Sequence, residues 1–168
     1  MSEACKNSTV RRRANQAGHA MLEGALVIIP FLAIFFAIFD FGMVIFLKNT
    51  FQNAAREGVR YAVTYQTVSG MGQDASIKSV VKTNAMGFLN STATCGANND
   101  CIAINYYNPT TLAATTANAP GNIVEIVISG YTWGVMAPVM RSGTGIPVRV
   151  TASDRMESLP GGVSPPAR

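Results

Sequence analysis

The sequence predicts an α+β chain. An N-terminal transmembrane helix runs on as a long amphipathic helix, followed by a second helix and a small antiparallel sheet. Three observations carry this reading. Gly24 to Leu47 is an apolar run of 24 residues with one charge, Asp40. Beyond it, Phe51, Ala54/Ala55, Gly58/Val59 and Ala62 recur at steps of three and four, the period of a helix with one apolar face. Later, Ile102/Ile104/Tyr106, Val124/Ile126/Ile128 and Ile146/Val148/Val150/Ala152 alternate at the strand period of two.

The apolar run is the first element to justify. As a helix it rises roughly 36 Å, enough for a hydrocarbon core of ~30 Å. It holds sixteen Leu, Ile, Val and Phe residues. At about −0.3 to −0.6 kcal/mol each for insertion, they outweigh a cost of about +3 kcal/mol for one central Asp. The run exceeds the apolar core of a cleaved secretory signal, about 7–15 residues, and no small-x-small site follows it closely, since Asn53-Ala54-Ala55 has a poor first residue. It also lacks the polar face that a buried helix of a soluble domain would show.

The charges flanking the run give a small bias in orientation. The net charge is +4, and Lys6, Arg11, Arg12 and Arg13 against Glu3 supply +3 of it before Gly18. The remainder carries too little basic charge to meet a phosphate backbone, so no nucleic-acid partner is expected. The basic cluster reads instead as a topology signal. Its four cations against Lys48, Arg56 and Arg60 beyond the run favour a cytoplasmic N-terminus.

Cys95 and Cys101 flank a Gly/Asn-rich turn in TCGANNDC. They are read either as a disulfide, which persists only in an oxidising compartment, or as two free thiols; the disulfide is favoured. No second Cys or His pair completes a metal site, and no phosphate loop or cofactor motif is present. The single histidine, His19, leaves no Ser-His-Asp or Cys-His set to assemble in the exported domain. Neither an enzyme, a cofactor nor a small-molecule substrate is expected. Trp133 and the tyrosines read as core or sheet-face residues, and Asn90-Ser91-Thr92 as a chance glycosylation triplet.

The sharpest pattern lies at the start of the run. Arg11-Arg12-Arg13-Ala14-Asn15-Gln16-Ala17-Gly18 precedes His19-Ala20-Met21-Leu22-Glu23. This resembles the processing site of type IV pilins, in which a basic leader ends in Gly and a Glu stands fifth in the mature chain. Downstream, Phe36-Ala-Ile-Phe-Asp40-Phe-Gly42 and Gln52-Asn-Ala-Ala-Arg-Glu-Gly-Val-Arg-Tyr-Ala-Val63 resemble the TadE-like family, minor pseudopilins of tight-adherence (Flp-type) pilus systems. A weaker echo runs from Pro147 to Glu157. Two positions depart from the family's habit: Gly24 follows the Glu where an aromatic residue is common, and His19 is an unusual first mature residue.

The resemblance implies cleavage after Gly18 by a prepilin peptidase, which frees the α-amino group of His19. Glu23 lies one helical turn away, placed to pair with that amine on its own or a neighbouring subunit. The implied home is the bacterial inner membrane, crossed once, with a periplasmic domain and other pilins, pseudopilins and assembly machinery as partners. The alternative is an unprocessed single-pass protein whose exported domain binds an envelope ligand or partner.

The remaining residues divide the chain into a basic cytoplasmic leader over 1–18, an anchor helix over 19–47, an exported pilin-like domain over 48–158 and a disordered tail over 159–168. Within the anchor, Pro30 is expected to kink the helix. Asp40 reads equally as a subunit-contact acid or as a water-facing carboxylate near the outer end. Arg56, Glu57 and Arg60 read as a solvated helix face. Ser69-Gly-Met-Gly72 breaks the first helix. The second starts near Asp74 as N-cap, with Ile77, Val80/Val81, Ala85 and Phe88/Leu89 as its core stripe. Pro109–Gly121 reads as a long loop.

Overall fold

In a computed structural model, the chain is described in full at residues 19–90, 95, 101–137, 143, 145–161 and 163–168; residues 3–18 are described as helical backbone only. The first helix, α1 (Glu3–Val63), is continuous, and Pro30 lies inside it without ending it. The second helix is α2 (Gln73–Asn84), and a single 3-10 turn follows at Phe88–Asn90. Four strands come next: β1 (Ile102–Tyr107), β2 (Ala114–Thr115), β3 (Ile123–Trp133) and β4 (Ile146–Arg155). They form one antiparallel sheet in the order β2-β1-β3-β4, an α+β layout as predicted.

The chain divides into two compact units. One comprises Met1–Phe41 with Val135–Ser142, the other Gly42–Gly134 with Gly143–Arg168. In the first, α1 shows no polar face along its apolar stretch. Leu26 is 77% exposed, and Val27, Ile28, Phe31 and Ile34 are exposed around the same turns. With a mean hydropathy of 2.5, the helix is long and apolar enough to cross a membrane.

In the second unit the same helix buries a stripe. Leu47, Phe51, Ala54, Ala55, Val59, Ala62 and Val63 join Ile77, Val81, Ala85 and Leu89 of the α2 region and the inward residues of the sheet. Phe51 is fully buried and meets Tyr131 edge-on, with ring centroids 5.1 Å apart. At Gly58, α1 packs tightly against α2 and β3. A Cβ there would press into Val81 Cγ2 and stand 2.9 Å from Ile126 Cδ1. Glycine costs roughly 1 kcal/mol inside a helix relative to Ala; here the close approach of three elements requires it.

The core strands follow the predicted alternation, with one change of phase. Val124, Ile126 and Ile128 face the core, and so does Tyr131, an odd number of residues further on. The register explains this. Ile128 pairs with Val150 and Tyr131 with Val148, so β3 advances three residues while β4 advances two. The extra residue is a bulge at Ser129-Gly130, and Gly130 takes a left-handed φ of +86°. Tyr131 and Trp133 are thereby returned to the core side.

Three expectations need correction. Pro109–Gly121 is not all loop, because Ala114 and Thr115 pair with Tyr107 and Tyr106 as an edge strand. Asp74 is not the N-cap of α2. Gly72 is, and it has no side chain to cap with. The third is the tail over 159–168, whose last residues are bound rather than disordered. Gln73 N–H donates to Ala167 O at 2.7 Å, and Asn118 Nδ2 donates to Pro166 O at 2.8 Å. The Arg168 guanidinium pairs with Asp74 at 2.8 Å and lies 4.6 Å above the Tyr106 ring. The three prolines of this tail lose little conformational entropy when it is ordered.

Candidate functional site

The residues singled out by sequence fall in three places. Gly18, His19 and Glu23 lie within the first third of α1, where His19 and Glu23 are exposed. Residues four apart share a helix face, so the two side chains stand one above the other across one turn. The side chains of the leader, including Cys5, Lys6 and Arg11–Arg13, lie outside the described residues.

Asp40 is not water-facing but enclosed by its own chain. It is 2% exposed, although its neighbours Phe39 and Phe41 are 47% and 68% exposed. Its carboxylate accepts hydrogen bonds from the backbone N–H of Met136, at 2.9 Å and 3.1 Å to its two oxygens, and from that of Ala137 at 2.7 Å. These donors belong to the connection between β3 and β4, almost a hundred residues away in sequence. Charge-assisted bonds of this kind are roughly twice as strong as neutral ones. The acid is thus a clasp within its own chain. Periodicity could not find it, because the donors are main-chain groups with no sequence signature.

The third place is in the second unit. The NAAREGVRYAV helix segment and the Pro147–Glu157 echo lie side by side. Gln52 Nε2 donates to Thr151 O at 3.1 Å, and Glu157 N–H donates to Val63 O at 3.4 Å. Together they line a groove of about 390 Å³ whose polar walls include Arg56, Arg60, Asp154 and Glu157. Arg56, Glu57 and Arg60 form no ion pair among the described residues, in keeping with a solvated face.

Sequence reasoning missed a further polar cluster, around Asp74. Its Oδ1 accepts from the Tyr106 hydroxyl at 2.8 Å, and its Oδ2 accepts from Arg168 Nε at 2.9 Å. Burial first, and then the Asp74 carboxylate, raise the Tyr106 pKa well above its ordinary value. The cluster spans residues 94 apart in sequence, so no local motif announces it.

Cys95 and Cys101 are joined as a disulfide, with Cα atoms 5.0 Å apart. Both are buried against the core. The stretch between them, and Ser91 and Thr92 of the Asn90 triplet, lie outside the described residues. Among the described residues no three His, Cys, Asp or Glu side chains are grouped to hold a metal ion.

Comparison with known proteins agrees with the N-terminal motifs. No curated protein and no solved structure matches the chain. One family model does match, over residues 18–60, and it is described as TadE-like protein. That interval begins at the glycine of the processing pattern, contains Glu23, the apolar run and Asp40, and ends inside NAAREGVRYAV. Over Gly18 to Arg60 the chain is therefore similar to TadE-like proteins, and its N-terminal helix is long and apolar enough to cross a membrane.

Proposed function

We propose that the protein is a minor pseudopilin of the tight-adherence pilus apparatus, with a structural rather than enzymatic role. A prepilin peptidase cuts after Gly18. The mature chain stays in the bacterial inner membrane through α1, with the leader side in the cytoplasm and the disulfide-bearing domain in the periplasm. There it joins other pilins or pseudopilins during assembly. The observation that carries this reading is the unbroken order of basic leader, Gly18, Glu23, apolar span and NAAREGVRYAV within one helix, most of it inside the TadE-like match.

The chemistry assigned to Glu23 follows from where the cut falls. Cleavage creates an ammonium group at His19, at the membrane edge, one turn from the carboxylate. In a low-dielectric assembly that amine and Glu23, on the same or a neighbouring subunit, neutralise each other. Removing one partner of a desolvated pair costs about 3–5 kcal/mol, over a hundredfold in association. Glu23→Gln is therefore expected to insert and be processed, yet fail to crosslink to its pilus partners. Wild-type crosslinking and piliation by that variant would remove the pairing mechanism.

Processing itself is tested by N-terminal sequencing of the membrane-extracted protein, which should begin at His19. Gly18→Trp should retain the leader, because a large side chain obstructs the peptidase's approach to the bond. A wild-type chain that still carries Arg11–Arg13 would instead favour an unprocessed receptor-like protein. The groove between Arg56/Arg60 and Asp154/Glu157 is then the place to look for its ligand.

A further inference from the structure

An acid in the middle of an apolar helix needs a reason, and so does the way the β3–β4 connection meets it. The two share one. Asp40 stands seven residues before Leu47, the end of the apolar run, which puts it about 10 Å inside that end at 1.5 Å per residue. The apolar surface does not stop at Asp40: Phe41 is 68% exposed, and Ile45 and Phe46 are 45% and 42% exposed. Were the hydrocarbon to end at Asp40, these side chains would lie in water.

The main-chain N–H groups of Met136 and Ala137 lie within 3.1 Å of the Asp40 carboxylate, so they share its depth. Irregular backbone is tolerated at hydrocarbon depth only where its polar groups are satisfied internally. An ionisable side chain in a span likewise needs a partner. Asp40 satisfies two of the segment's N–H groups, those of Met136 and Ala137, and they in turn partner its carboxylate. The Ala137 side chain is buried, while Met136 points a flexible apolar thioether outward and is 51% exposed.

We propose that the segment Val135–Ala137 is a second membrane contact, seated beside α1 in the lipid at the level of Asp40, toward the C-terminal end of the apolar run. Met136 faces acyl chains there, and Asp40 serves as the acceptor for the N–H groups that the segment would otherwise expose to lipid. The proposal rests on the reading of α1 as a membrane span. It makes the TadE-like anchor a helix plus a clasped segment.

The test uses the full chain in vesicles of phosphatidylethanolamine and phosphatidylglycerol, with Cys5→Ser as background and the Cys95–Cys101 disulfide left oxidised. Single spin labels are placed at Met136→Cys, at Phe35→Cys within the span and at Met86→Cys, an exposed site in the other unit. Collision with oxygen, enriched in lipid, is compared with collision with a water-soluble nickel chelate. Labels at 35 and 136 should favour oxygen, and the label at 86 nickel. A label at 136 that behaves like 86 while 35 behaves as lipid-facing overturns the segment's insertion and leaves the span intact. If 35 also favours nickel, the span reading falls and the proposal with it. Spin–spin broadening at 136 that vanishes on dilution with unlabelled chain would seat the segment against a second copy and overturn the lipid assignment.

The clasp is read in the same assay. Asp40→Leu should reverse the oxygen-over-nickel preference at 136, and Asp40→Asn, which keeps an acceptor oxygen, should largely restore it. No change with Asp40→Leu overturns the role of the acid.

Discussion

The two parts of α1 have opposite burial patterns. Between Gly24 and Phe41 its large side chains are exposed on nearly every side, and the one well-buried group is the acid Asp40. From Leu47 to Val63 the buried groups are apolar and fall on one stripe, with Arg56 and Arg60 outside. The reversal is the one expected of a helix that passes from lipid into water. In lipid the apolar surface faces outward and a carboxylate must be enclosed; in water the opposite holds. A helix read only for length and hydropathy would miss the point at which one rule replaces the other.

The comparison breaks most sharply on matched phenylalanines. Phe51→Ala empties a fully buried site that contacts Phe88 and Tyr131, and should cost about 3–5 kcal/mol of domain stability. Phe35→Ala, at a site 57% exposed in the span, should leave the domain's denaturation midpoint unchanged. Urea titration in detergent micelles, followed through Trp133 fluorescence, reads both. Equal losses would mean that the two segments share one environment.

A smaller effect is expected at Gly58. Alanine is the better helix former by roughly 1 kcal/mol. Its methyl group would nevertheless meet Val81, whose β-branched side chain has little freedom to move, and Ile126. A net loss of about 2 kcal/mol is expected from overpacking, whereas Gly42→Ala, with nothing within 4 Å of the added atom, should be neutral or mildly stabilising. Thermal melts of the two variants check this pair.

The disulfide should matter about as much. Its loop is short, with a sequence separation of 6, so reduction should cost about 2 kcal/mol. In the mature protein both thiols should resist alkylation until a reductant is added. Two free thiols in the unreduced protein would also remove the argument for an oxidising compartment.

The smallest effects concern tyrosines of the second unit. Among the described residues the buried hydroxyl of Tyr65 has no hydrogen-bond partner, so Tyr65→Phe should gain about 1 kcal/mol. The pKa values of Tyr65, Tyr106 and Tyr131 are all raised, in each case chiefly by burial. A group whose folded pKa lies above its unfolded value stabilises fully below the unfolded pKa, about 10 for Tyr. That contribution is lost as pH rises beyond it. Denaturation midpoints should therefore be insensitive to these groups below pH of about 10 and fall above it. Tyr106→Phe should make the alkaline fall shallower.

Much of the molecule is local in origin and was legible as such. The apolar run, the stripe from Phe51 to Ala62, the α2 stripe and the three alternating strands each follow from short-range periodicity, because burial of one face imposes it. The Gly18–Glu23 pattern and NAAREGVRYAV led to the same family as the later match over residues 18–60. The start of α2 was misplaced because Asp is a favoured N-cap; here Asp74 is committed instead to Tyr106 and Arg168.

By itself, then, the sequence determined where α1 is apolar all round, where it becomes one-sided, and which residues line the strands. Only the tertiary structure decided what the polar groups do. Asp40 clasps main-chain N–H groups of the β3–β4 connection, Asp74 holds Arg168 and Tyr106, and Gly130 bulges β3 so that Tyr131 turns inward. The physical reason is range. Hydrophobic patterning acts on each element separately and leaves a period in its sequence. A buried carboxylate instead takes whatever donors the fold delivers to it, and when those donors are backbone groups or residues a hundred positions away, nothing in the chain's local order records the choice.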